Sequence, residues 1–167
     1  MTVQRQERYG RRPGIAFFGL GLALLAAGLD SRAPAATTER VVVGHYSGLA
    51  IEGFDPVAYF TDSVAVQGVG DFEAASAGVV WRFRNEGNRA SFVAHPEIYG
   101  PQFGGYDPVD LSRGVTVAGN PRFFVVTGAR LYLFDREDNR DAFAAEPGRF
   151  IKDANARWPE LRDNLAQ

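Results

Sequence analysis

Apolar positions follow three patterns along this chain. Ile15 to Leu29 is a nearly continuous apolar run. From Val41 to about Phe143 the apolar residues come in short alternating or paired bursts cut by glycine and proline, the pattern of short strands and turns. Beyond them Phe150, Ile151, Ala154, Trp158 and Leu161 recur at helical spacing and predict one closing helix, which Pro159 should end or bend.

The middle pattern predicts its own elements. Val41-Val42-Val43 reads as an initial strand interrupted by Gly44 to Gly48, and Val57-Ala58-Tyr59-Phe60 follows a turn. Val64 and Val66 alternate with polar neighbours as a short strand ended by Gly68, and Phe72 with Gly78 to Phe83 supplies two further pieces of sheet. Asn88, Arg89 and Phe92 then lie in a run of helical spacing stopped by Pro96.

This order occurs twice. Gly53-Phe54-Asp55-Pro56-Val57 returns 52 residues later as Gly105-Tyr106-Asp107-Pro108-Val109. Val64, Val66, Gly68 and Phe72 return 51 later as Val115, Val117, Gly119 and Phe123, and Phe83, Glu86, Asn88, Arg89, Phe92, Ala94 and Pro96 as Phe134, Glu137, Asn139, Arg140, Phe143, Ala145 and Pro147. Identities at a constant offset and in one order predict a duplicated small fold. The fold class is α+β: two units of short strands plus a helix, packed as one compact domain with a C-terminal helix. Residues 1–35 are a leader, 36–49 an N-terminal tail and strand, 50–103 the first unit, and 104–163 the second unit with its closing helix.

The repeated pentapeptide has a local job. Glycine allows a positive φ and the aromatic after it anchors a core, while Asp-Pro is a helix cap followed by a first-turn residue. Asp55 and Asp107 are thus read first as turn caps. In both helices the Asn can bond locally, and Arg89 and Arg140 either reach carbonyls of the opposite unit or a carboxylate such as Asp55 or Asp107, or are ordinary solvated side chains. Phe92, Phe143 and Trp158 are structural anchors.

Charge and composition narrow the function. Arg5, Arg8, Arg11 and Arg12 precede the apolar run and Ala33-Pro34-Ala35 follows it, the order of a secretory signal cut after Ala35 that leaves no stable membrane span. The remaining 132 residues carry 13 basic and 18 acidic side chains, a net charge of −5 that disfavours nucleic acid. Cysteine is absent, which removes disulfides and thiol chemistry. With two histidines in the chain, a metal would fall to His45, Asp55 and Asp107, a set without the spacing of a known motif. Asp55, Tyr59, Tyr106 and Asp107 are the candidate ligand contacts, and no cofactor is specified.

The stretch from Ala50 to Phe60, with Asn88-Arg89-Ala90-Ser91-Phe92, Pro96-Glu97-Ile98-Tyr99, Pro101 to Tyr106 and Trp158-Pro159, resembles the YHS-domain family of exported bacterial proteins. The resemblance covers roughly Ala50 to Leu161 and implies a small α+β fold with a metal-binding or sensing role. Family members often carry Cys or selenocysteine where this chain has Asp107, and related modules place Cys at positions that here are Ala58 or Asp110 and near Arg84. A carboxylate there is a hard ligand, which weakens any soft-metal role and excludes redox chemistry at that site. The expected function is an exported, non-catalytic binding or sensing module in the periplasm, for a small ligand, a metal ion or a protein partner. The alternative is a carboxylate-based enzyme using Asp55 and Asp107 in a shared cleft.

Overall fold

A computed structural model describes residues 39–165; the expected leader, residues 1–35, lies outside them. Each unit opens on a tight 3-10 turn, Ile51–Gly53 or Gln102–Gly105. In the first unit a one-turn helix follows, α1 (Ala58–Thr61). The hairpin of the first unit is β1 (Val69–Ser76) with β2 (Val79–Phe83), and helices α2 (Glu86–Ala94) and α3 (Pro96–Tyr99) complete it. The second unit repeats this as α4 (Pro108–Leu111), β3 (Asn120–Thr127), β4 (Arg130–Phe134), α5 (Glu137–Ala145) and α6 (Pro147–Asp163). The fold is α+β, with two separate antiparallel two-stranded sheets and a C-terminal helix.

The likeness of the units extends to irregularities. In β1·β2 the register slips between Val69 and Glu73, and in β3·β4 it slips between Asn120 and Phe124, 51 residues on. Single bridges recur too: Phe54 pairs with Gln67 and Tyr106 with Ala118, while Leu49 pairs with Val80 and Pro101 with Leu131. Val64 and Val66 do not form a strand. Asp55 N–H donates to the Val66 carbonyl and the bridge at Gln67 follows, so this segment is a loop stitched to the opening turn, with Val64 exposed.

Two clusters make the core. Phe83, Phe92 and Trp81 centre the first, and Phe134, Phe143 and Tyr132 centre the second. The second hairpin belongs to both clusters. Tyr132 and Phe134 point into their own unit, and Leu131 and Leu133 pack with Phe124 against Ile51, Val57 and Tyr59 of the first unit. Alternation along β4 therefore buries both of its faces. The corresponding positions in the first hairpin are Val80, Arg82 and Glu73, and there Arg82 crosses to Glu73 at 2.6 Å on a half-exposed surface. The polar pair closes a face that the second unit uses for packing.

Helix α6 does the corresponding work at the other end. It has 17 residues where α3 has 4, and its extra turns carry Trp158 and Leu161 against the second core. Trp158 meets Phe103 edge-on at 5.8 Å and Tyr106 at 6.0 Å. Pro159 does not end the helix, which runs on to Asp163. The proline removes one N–H from the ladder, and packing by the neighbouring Trp158 and Leu161 offsets that loss. Among the described residues no helix is long and apolar enough to cross a membrane.

Candidate functional site

The motif carboxylates are wholly buried, and each ties together three segments of its own unit. Asp107 Oδ1 accepts the N–H groups of Val109 at 2.8 Å and Asp110 at 3.4 Å, capping α4 with Pro108 at its first position. Its Oδ2 accepts the Asp135 N–H at 2.9 Å, just past β4, and the Asn139 side-chain amide at 2.7 Å, in the first turn of α5. Asp55 repeats this with Val57 at 2.9 Å, Ala58 at 3.4 Å, Arg84 N–H at 2.9 Å and the Asn88 amide at 2.7 Å. Turn, strand end and helix are thus joined through one carboxylate.

Of the two roles open to the arginines, the solvated one is found and the buried pair with Asp55 or Asp107 is not. Arg89 pairs with Glu86 at 2.8 Å, and Arg140 pairs with Glu137 at 2.7 Å and Asp141 at 2.9 Å, all on the surface. It is the Asn before each Arg that reaches the carboxylate, because helical spacing turns residues 88 and 139 inward beside Phe92 and Phe143 and carries the next residue outward. A neutral amide also satisfies a buried carboxylate oxygen without bringing in a second charge to desolvate. Both Asn residues stand in the repeated register, which was the signal for them.

The second unit adds a carboxylate. Asp110, at the position of Ala58, is buried and shares the Asn139 amide with Asp107, its Oδ2 accepting at 3.0 Å. Arg113 at 2.9 Å and Arg136 at 3.5 Å cover its other oxygen. Burial pushes the Asp107 carboxyl up, a shift made larger by the nearby Asp110 charge and opposed by the bonds from Asn139, Asp135 and Val109.

Tyr59 and Tyr106 are buried and spend their hydroxyls on backbone carbonyls. Tyr59 donates to Pro121 at 2.8 Å, across to the second unit, and lies edge-on to Phe124 at 4.8 Å. Tyr106 donates to the Glu39 carbonyl. Burial pushes the Tyr106 phenol up to about 12 and Tyr59 further in the same direction, with the nearby acidic charges of Glu39 and Asp55 respectively adding to it. A phenol raised above its ordinary value gives stability that is whole below pH ~10 and is lost as pH rises through the folded value. Denaturant titrations should therefore find the protein less stable at pH 12 than at pH 8, and Tyr106→Phe should remove part of that loss.

The proposed metal set is not assembled. His45 is exposed, its ring edge-on to Tyr46 at 4.9 Å, and among the described residues no three His, Cys, Asp or Glu side chains gather as a metal site. Asp55 and Asp107 likewise share no hydrogen-bond partner. The open space lies elsewhere. A groove of about 620 Å³ runs beside residues 39–43 and the turn of the first hairpin, lined by Arg40, Val41, Val43, Gly48 and Val79 among others. Tyr46, 99% exposed, stands on the neighbouring loop. The sequence offered no periodic signal for this groove, since it is made by a segment before the repeats meeting a hairpin turn. Compared with family models, with curated proteins and with solved structures, the chain matches none.

Proposed function

We propose that this chain is an exported, YHS-like binding or sensing module of the periplasm and not a catalyst. The observation that carries the reading is the state of Asp55 and Asp107, each buried with its oxygens committed to four donors of its own unit. Such carboxylates suit a frame and leave no oxygen for a reacting group. A carboxylate enzyme would need both in one cleft with proton-accepting capacity to spare. Recognition falls instead to the surface, and a groove of about 620 Å³ is within the range of small-ligand sites. Val41, Val43 and Val79 make it chiefly apolar, with Arg40 and Glu39 at its edge, so a ligand with an apolar body and a polar end suits it better than a bare metal ion.

Native mass spectrometry of the protein purified from periplasm tests this. The expected result is a chain beginning after Ala35 that carries a small-molecule adduct, with the adduct lost in Val79→Arg. Adduct-free protein with no co-purifying partner overturns the binding reading, and full-length chain in the soluble fraction overturns export with cleavage.

A further inference from the structure

We propose that residues 39–43 are a latch that docks on the opening turns of both units, bridging Val43 to Ala50, and undocks from them as one piece while the rest of the fold stays intact, and that docking builds one wall of the groove. The second half of this statement rests on the binding reading above. The latch itself rests on geometry. Val42 N–H donates to the Gly104 carbonyl at 2.8 Å, Ile51 N–H donates to the Val42 carbonyl at 2.9 Å, and the Tyr106 hydroxyl donates to the Glu39 carbonyl. The Val42 side chain is buried in the second core, while Val41 lies against the first.

The duplication provides an internal comparison, because the latch has no counterpart. The residues 52 places after it, Ser91 to His95, are the last turn of α2 and its cap. Two differences between the opening turns face the place where the latch lies. Glu52 corresponds to Gly104, and both are left-handed, at φ 56° and 64°. Backbone conformation alone therefore does not demand glycine at this position; the first unit holds a glutamate there. At Gly104 a Cβ would lie 2.0 Å from the Arg40 carbonyl oxygen, so glycine is required by the latch. Phe54 corresponds to Tyr106, and the added hydroxyl is the one that holds Glu39. Phe54 instead lies under the Arg122 guanidinium at 5.2 Å. Both substitutions make room for the latch or bind it.

Its anchorage suits reversible docking. One buried valine and three hydrogen bonds stand against the conformational entropy of ordering five residues, contributions of similar size. The loop from Gly44 to Gly48, with exposed His45 and Tyr46 and a left-handed Gly48, is the hinge. Arg40, Val41 and Val43 belong both to the latch and to the groove wall, so undocking dismantles the groove and a ligand in the groove holds the latch shut.

Hydrogen exchange on the full chain reads the latch directly. In the wild type the amides of Val42 and Ile51 should exchange at least about tenfold faster than the β4 amide of Tyr132, which pairs with Val125 in the ladder, the mark of local opening. Gly104→Ala should speed Val42 and Ile51 by a further factor of about ten or more without changing Tyr132, and Tyr106→Phe by several-fold. Glu52→Ala, at the corresponding left-handed position beside Gly44, should leave Val42 and Tyr132 unchanged. Wild-type Val42 and Ile51 exchanging only as slowly as Tyr132 would overturn the latch, as would Gly104→Ala speeding all three alike. Should Gly104→Ala fail to fold, the wild-type rates and Tyr106→Phe decide. These rates need no ligand, so a mobile latch beside an empty groove sinks the binding reading alone, and a filled groove with a latch that never opens sinks the latch alone.

Discussion

Asp107→Ala should lower the free energy of unfolding by about 3 kcal/mol or more, measured by urea denaturation at neutral pH with an unchanged slope. The size follows from the number of donors left behind. Loss of the α4 cap alone costs about 1 kcal/mol. The Asp135 N–H is then left without its acceptor and the Asn139 amide keeps only Asp110, and each buried group so stranded costs about 1–3 kcal/mol. Asn is not a mild replacement here, because its amide nitrogen would face the Asp135 N–H and the Asn139 amide, two donors, where Oδ2 now accepts both. Asp107→Asn should therefore lose about 2 kcal/mol, although an Asn caps a helix as well as an Asp in isolation. Asp55→Ala should match Asp107→Ala within about 1 kcal/mol, since its four donors are the same in kind. A loss near 1 kcal/mol for either alanine variant would mean that the carboxylates act as caps alone.

The second large effect lies between the units. Leu133→Arg places in the second hairpin the residue that the first hairpin carries at the corresponding position, Arg82. Leu133 is fully buried against the first unit, with no carboxylate partner there; Phe124 stands where the first hairpin has Glu73. An unpaired buried guanidinium costs more than about 4 kcal/mol, so this variant should fail to give a cooperative unfolding transition by circular dichroism. The reverse exchange, Arg82→Leu, should shift stability by less than about 1 kcal/mol, because it breaks one half-exposed ion pair. A folded Leu133→Arg protein would mean that the units are held by something other than this face.

Much of the frame was legible because duplication turns one sequence into two. The offset of 51 located both hairpins, both main helices and the inward Phe92 and Phe143, and it held Asn88 and Asn139 in register as well. Periodicity does not say which of two adjacent polar residues turns inward, so it leaves Arg89 and Arg140 open as carboxylate partners or solvated side chains, while the amides of Asn88 and Asn139 lie on the core side. Val64 and Val66 show the opposite failure. Two alternating valines satisfy a strand pattern, but the backbone there is used by Asp55 N–H to fasten the opening turn. The continuation of α6 through Pro159 depended on packing around Trp158, which local propensity does not contain. The groove and the latch were illegible for a different reason: they join residues 39–43 to the hairpin turn at 77–79 and to the opening turn at 102–105, and no local pattern encodes those meetings.

The way the units stack has a consequence for the length of the chain. The first unit's opening turn and α1 sit on the outer face of the second hairpin, and this is a head-to-tail contact, not a two-fold one. Repeated, it would add a third unit to the second and a fourth to the third, as in a solenoid, unless both ends were sealed. One end is sealed by Glu73 and Arg82, which make the first hairpin's outer face a poor seat for another apolar turn. The other is sealed by α6, whose Trp158 and Leu161 cover Phe103, Tyr106 and α4 where a further hairpin would otherwise lie. Nothing within the unit itself bars a third from stacking on these two; one ion pair and the extra turns of one helix do.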